Sequence, residues 1–406
     1  MLQNNSYSHS VNDARPPIFD EVCRTDPSPA GHQETSFQFL NRVQGSYWDQ
    51  VRELVQEWFE HVANDVDYRQ LRGNFRANNA ANHSAFLELY VHESLRRAGY
   101  RVVIHPDVPN TTRCPDFLVE GFGDKFYVEA TMPGTSDASQ GPARRRADFL
   151  DTIQGTKNQD FFLSLDHLVV GPNPAKGRRA RAAIEQWLAG LDIDNVSYRG
   201  EGRARFSWAL DGWEVEFSAI PIPVENRGNP NHRIIGVYAD GKGSYPDDVS
   251  IIRAALGTKT NAYGALEHPL IIALGTYIWG GERSDTTDAL YGSSAVIWDE
   301  TVQETRVGRL GDGFFGTADR PANQSVAAVL HINQLQPYHL QRAQVTLWPH
   351  PAVEVDSVVD RLAGRIPAIV MRASDGRVES TPSGIEPGVF FGLPDPWPTG
   401  EAFPMH

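Results

Sequence analysis

The 406-residue chain reads as an α/β protein, and three features of the sequence say so. Apolar residues recur every three or four positions in two early segments. Short apolar runs separated by turn residues follow them directly, as strands do. Further along, helix-forming stretches alternate again with compact runs of β-branched and aliphatic residues.

Residues 1–35 are polar, carry Pro16, Pro17, Pro27 and Pro29, and predict a flexible or loosely docked arm. Residues 36–81 form an N-terminal helical extension. Tyr47, Val51, Leu54, Val55, Trp58, Phe59 and Val62 predict a packing helix over 46–63. A polar link ends at Ala77-Asn78-Asn79-Ala80-Ala81-Asn82, which suits a turn or cap. A helix over 83–98 follows, capped by Asn82 or Ser84 and ended by Gly99. Its apolar side is Phe86, Leu87, Tyr90, Val91, Leu95 and Ala98. Glu88 flanks that stripe and needs a partner there; the alternative is a surface Glu paired with Arg96 or Arg97.

Tyr100–Ile104 is strand-like. So are 115–119 and 126–131, joined by Glu120-Gly121-Phe122-Gly123-Asp124-Lys125, where two glycines permit a tight turn. In an antiparallel hairpin Asp116 and Glu129 face each other across the ladder. A Gly/Ser/Pro-rich loop leads to a basic helix at Arg144-Arg145-Arg146, then a strand at Phe161–Leu165. A second cationic helix spans 176–191 with Lys176, Arg178, Arg179 and Arg181. Together with Arg203 and Arg205, these arginines either track phosphates or form a solvated face.

Asp247 and Asp248 cap a further helix that carries Lys259 in its last turns. Pro269–Leu274 and Ser325–Leu330 are buried-strand runs, and 279–324 between them is turn-rich. The proline-rich residues 351–406 predict a C-terminal wrap over the core.

Composition narrows the function. No apolar run approaches the roughly 18–20 residues of a membrane span. No secretory signal is visible and only Cys23 and Cys114 occur. A reducing cytoplasm is therefore expected, and a disulfide framework or an all-cysteine zinc site is excluded. The net charge of -14 repels nucleic acid globally and restricts any such binding to local patches. His331, His339 and His350 lack metal-ligand spacing and read as structural. Gly311-Asp312-Gly313 is a turn rather than a phosphate loop, and no Gly-x-Ser-x-Gly elbow is present. Trp208, Trp213, Trp279, Trp298, Trp348 and Trp397 read as core or clamp residues before base-stacking ones.

Glu88, Asp116 and Glu129 together form an oxygen-only trio suited to Mg²⁺ or Mn²⁺, and hence to phosphodiester hydrolysis. Pro115-Asp116, then Glu129-Ala130-Thr131 after a hairpin, with Glu88 on the preceding helix, resembles the PD-(D/E)XK, or restriction-endonuclease-like, nuclease superfamily. The resemblance covers residues 82–170 and implies a restriction-endonuclease-like core with a central mixed β-sheet flanked by helices. That core would occupy 82–350, with an insertion at about 171–247. The resemblance implies Mg²⁺-dependent cleavage of nucleic acid, DNA ahead of RNA, in restriction, bacterial defence or repair. Glu88, Asp116, Glu129 and the Ala130 carbonyl would be the metal ligands.

One position departs from the pattern. Thr131 stands where a lysine is expected; its hydroxyl can position water but carries no charge. Lys259 is the candidate replacement, ahead of Lys157 and Lys125, although a lysine at a helix C-terminus is also explained by the dipole. The alternative is a catalytically weak or inactive nuclease fold that binds nucleic acid or a protein partner. A homodimer is left open.

Overall fold

The computed structural model describes residues 15–404 except 110, 134–136, 159, 198–202, 225–226, 228–233, 239–247, 261, 265, 279–282, 300–303, 318, 353–356 and 375–376. Asp247, Trp279 and the Gly280-Gly281 turn therefore lie outside the described residues, as does the arm before Arg15.

Four helices open the chain: α1 (Ser36–Arg42), α2 (Ser46–Glu60), α3 (Asp65–Phe75) and α4 (Asn79–Arg97). α3 replaces part of the expected polar link. Its buried side is only Tyr68, Leu71 and Phe75, too sparse a stripe to read from sequence. α4 starts a turn earlier than predicted, because the cap is Asn78, whose side chain accepts from the Ala81 amide at 3.0 Å. Asn82 is instead buried and donates to the Phe75 carbonyl. The second half of the supposed arm is packed: Ile18 and Phe19 are buried, and Arg76 holds the Ile18 carbonyl at 2.7 Å.

An eight-stranded mixed sheet forms the centre, in the order β1-β2-β3-β8-β11-β12-β13-β14. β1 (Arg101–Ile104), β2 (Phe117–Gly121) and β3 (Asp124–Thr131) are antiparallel neighbours. The β2–β3 turn is just Phe122-Gly123, with φ of 55° and 85°. Two successive positive φ values match the twist of the strands, which is why the glycine is needed. β8 (Leu270–Thr276) runs parallel to β3 and to β11 (Val326–Asn333). β8 and β11 are buried along their whole length, as their continuous apolar runs predict.

Helices cover both faces. On one side Ile271, Ala273, Ala328 and Leu330 pack in a core shared with α1–α4. On the other, Leu270, Ile272 and Leu274 share a core with α7 (Asp248–Thr260) and α8 (Ser284–Tyr291). The turn-rich 279–324 region thus contains α8 and a hairpin of β9 (Ser294–Asp299) and β10 (Glu304–Arg309).

Two boundaries differ from expectation. The insertion is larger. α5 (Asp137–Gln154), β4 (Phe161–Val169), α6 (Gly177–Ala189), β5 (Arg205–Leu210), β6 (Trp213–Pro221) and β7 (Ile235–Tyr238) build a separate four-stranded sheet, β5-β6-β4-β7, over its own core. β4 belongs there and not to the central sheet, although its apolar run reads like a core strand. The C-terminal region does not merely wrap. β12 (Gln344–Pro349) leads to α9 (Val358–Ala363), then β13 (Ile369–Ser374) and β14 (Arg377–Pro382) extend the main sheet, and α10 (Pro387–Phe391) follows. Arg361 of α9 binds Asp124, whose carboxylate is almost wholly buried at the start of β3. Among the described residues no helix is long and apolar enough to cross a membrane.

Candidate active site

The β2–β3 register pairs Phe117 with Val128. One step outward sets Asp116 against Glu129. The Asp116 amide donates to Glu129 Oε2 at 3.3 Å, and the Ala130 amide donates to Asp116 Oδ2 at 2.7 Å. Ala130, expected to contribute a carbonyl, enters the site through its N–H.

Glu129 is 2% exposed, yet both carboxylate oxygens are engaged. Lys259 Nζ of α7 pairs with Oε1, and the Tyr263 hydroxyl, three residues past the end of that helix, donates to Oε2. Alternation along β3 explains the encounter. Tyr127 points into the core beneath α7, so Glu129 faces α7 as well, while Phe126, Val128 and Ala130 face the opposite core. An ammonium thus reaches Glu129 from α7. Thr131 does not line the cleft around these groups. Lys125 pairs with Glu120 beside the hairpin turn, and Lys157 lies exposed in the inserted unit.

Glu88 comes from α4. It is not tied to Arg96 or Arg97; both grip Glu93, which is fully buried and also binds His61 Nδ1 at 2.9 Å. Burial first, then Asp116 and Glu129, push the Glu88 carboxyl up to about 8. Burial and then Glu129 push Asp116 up to about 7. Burial lowers Lys259, but Glu129 outweighs it and the ammonium is held above its ordinary value. Tyr263 is raised by burial, then by its bond to Glu129. The site therefore carries more potential negative charge than one ammonium offsets.

Asp116, Glu129, Lys259 and Tyr263 border an open cleft of about 590 Å³, with Gln70, His105, Thr112, Arg113, Cys114, Thr258 and Ala262 completing its walls. His105 has φ of 45°, a strained value for a non-glycine residue. Its Nδ1 is 2.9 Å from Asp67 Oδ1, and its amide donates to the Asp116 carbonyl. Behind it a cavity of about 20 Å³ is bordered by Glu88, Gln70 and the buried His92, whose Nδ1 has no hydrogen-bond partner among the described residues. That is room for one water.

No family model, curated protein or solved structure matches the chain.

Among the described residues no three His, Cys, Asp or Glu side chains are arranged to hold a metal ion as they stand. Glu129 is drawn to Lys259 and Tyr263 instead. The donor chemistry nevertheless fits a hard divalent cation: three carboxyls whose mutual repulsion, after burial, raises Glu88 and Asp116.

Tyr263, His105, Asp67 and Arg113 were not singled out from the sequence. Only Arg113 carried a signal, its position three residues before Asp116. The others depend on α3 and on a long-range encounter. His331 and His350 are buried and hydrogen-bonded, and His339 is half-buried, all of them away from the cleft.

Proposed function

We propose that the chain is a divalent-metal-dependent nuclease that hydrolyses phosphodiester bonds, with DNA ahead of RNA as substrate. The observation that supports this best is the meeting of Asp116, Glu129 and Lys259, from the β2–β3 hairpin and α7, at one open cleft, with Glu88 of α4 beside a small cavity and close enough to feel the charges of Asp116 and Glu129. The arrangement agrees with the PD-(D/E)XK resemblance and accounts for its missing lysine.

Asp116, Glu129 and Glu88 would hold Mg²⁺ or Mn²⁺. Such an ion, when bound, supplies Lewis acidity toward a phosphoryl oxygen and toward water. The protein's own groups do the rest. The Ala130 amide orients Asp116, and Tyr263 anchors one oxygen of Glu129, so Glu129 would turn only away from Lys259 to meet the ion. Lys259 places a positive charge where negative charge grows on the phosphate oxygens. Glu88, whose carboxyl burial and its neighbours push up to about 8 in the metal-free protein, would give up its proton when it joins the ion. The Lys259 ammonium also favours this reading over a fold that binds without cutting.

The test is incubation with supercoiled plasmid, linear duplex, single-stranded DNA and RNA, each with Mg²⁺, Mn²⁺ or EDTA. Cleavage that needs the ion and drops at least about 100-fold in Asp116→Asn is expected. Cleavage that survives EDTA, or survives the substitution, removes this cleft from the reaction.

A further inference from the structure

We propose that the inserted unit, residues 137–238, is a grip for duplex DNA that uses an arginine face on α5 and α6. This rests on the nuclease reading above and names the surface by which substrate reaches the cleft.

The unit is inserted between β3, which carries Glu129, and α7, which carries Lys259. Both of its connections to the central fold therefore join elements of the cleft. It has its own sheet and core, built on Phe149, Ile153, Leu163, Ile184 and Phe217, so it is a structural body and not a long loop.

Charge points the same way. Residues 137–238 contain 13 Lys and Arg against 13 Asp and Glu, so the whole net charge of -14 resides in the rest of the chain. A polyanion repelled elsewhere meets a neutral unit here, and within that unit the cations cluster. Arg144, Arg146, Arg178 and Arg179 are exposed and have no side-chain partner among the described residues. Several arginines elsewhere are engaged with carboxylates, among them Arg42, Arg52, Arg96, Arg97, Arg361 and Arg372, and the exposed ones that are not, such as Arg69, Arg320 and Arg377, stand singly in the sequence.

The two helices form a common surface. Gly177, at the start of α6, sits so close to Thr152 of α5 that an added Cβ would lie 3.0 Å from its side chain. Arg145 of α5 donates to the Gly171 carbonyl on the way into α6. The first turn of α6 has no acidic residue and no side-chain cap, so its positive dipole end adds to Arg178 and Arg179. Arg203, just before β5, has a buried Nε with no partner among the described residues. β5 itself is tied to α6 through Phe206 and Trp187. Guanidiniums spaced along such a surface are suited to successive phosphates.

The experiment uses the full chain and a fluorescein-labelled duplex of about 20 base pairs, with Ca²⁺ replacing Mg²⁺ to suppress turnover. Binding is read by anisotropy over a KCl series. Combining Arg144→Ala, Arg146→Ala, Arg178→Ala and Arg179→Ala is expected to weaken binding at least about 30-fold. The slope of log affinity against log salt should fall by about 3–4, close to one per lost phosphate contact. A control with Arg101→Ala, Arg320→Ala and Arg377→Ala should retain wild-type affinity. The thermal midpoints of both variants report whether they fold.

Wild-type affinity and salt slope in a folded quadruple variant overturn the proposal. Hydrolysis of bis(4-nitrophenyl) phosphate by the wild-type chain with Mn²⁺ tests the nuclease reading separately. If that hydrolysis is absent the reading fails, while the binding series still decides the arginine face.

Discussion

Replacing Lys259 with alanine removes the ammonium that pairs with Glu129 at the cleft. Glu129 is 2% exposed at its side chain and Lys259 31% exposed. Deleting one partner of a fully buried pair costs about 3–5 kcal/mol. The solvent reaching Lys259 screens this pair, so a loss of about 1–3 kcal/mol is expected in the metal-free protein. Tyr263 and the Asp116 amide still bind Glu129 and keep the figure from rising further. The catalytic cost has a different origin: removing one preorganised group that stabilises transition-state charge costs about 100- to 1,000-fold in kcat. The two effects separate experimentally. Saturating Mg²⁺ should recover most of the thermal stability, because the cation replaces the lost charge, and should not recover the rate. Single-turnover cleavage of a labelled duplex beside a melting curve with and without Mg²⁺ measures both. A rate within about threefold of wild type refutes the role given to Lys259.

Glu88 and Asp116 keep protons in the native protein at pH values where the unfolded chain has released them, so without metal they make stability fall as pH rises from about 4 to about 8. Melting of the metal-free protein across that range should show the fall, Mg²⁺ should reverse it, and Glu88→Gln should flatten it. Tyr263→Phe leaves Glu129 Oε2 with only the Asp116 amide and should slow cleavage roughly 3- to 30-fold while costing about 1–2 kcal/mol, read from rates and urea midpoints. Arg361→Ala strips the buried Asp124 of its guanidinium and should cost about 1–3 kcal/mol by denaturant titration, with the cleavage rate unchanged.

The hairpin was legible because its information is local. Alternating apolar residues set the strands, Phe122-Gly123 sets the turn, and these fix the register that opposes Asp116 and Glu129. The central strands β8 and β11 were legible for a similar reason, since burial on both faces leaves a continuous apolar run. α3 was not, because Asp65, Asp67, Arg69, Arg72 and Asn74 dilute its stripe and its packing comes from Phe59 and the Ile18 segment. β14 was missed because it is a largely exposed edge strand. The insertion was misjudged because the apolar pattern of β4 gives its burial but not which sheet it joins. Within the site, Lys259 could be nominated from its helix leading into a core strand. Tyr263 and the Asp67–His105 pair could not, because each is made by a contact far apart in sequence.

Glu88, Asp116 and Glu129 are proposed to form a metal-dependent phosphodiesterase centre completed by Lys259. The most direct test is the single-turnover rate on duplex DNA with Mg²⁺ or Mn²⁺, wild type beside Asp116→Ala, each with an EDTA arm. Cleavage is predicted only in the wild-type reactions containing the ion. Equal rates for the two proteins, or no cleavage by the wild type of any nucleic acid with either ion, would contradict that centre.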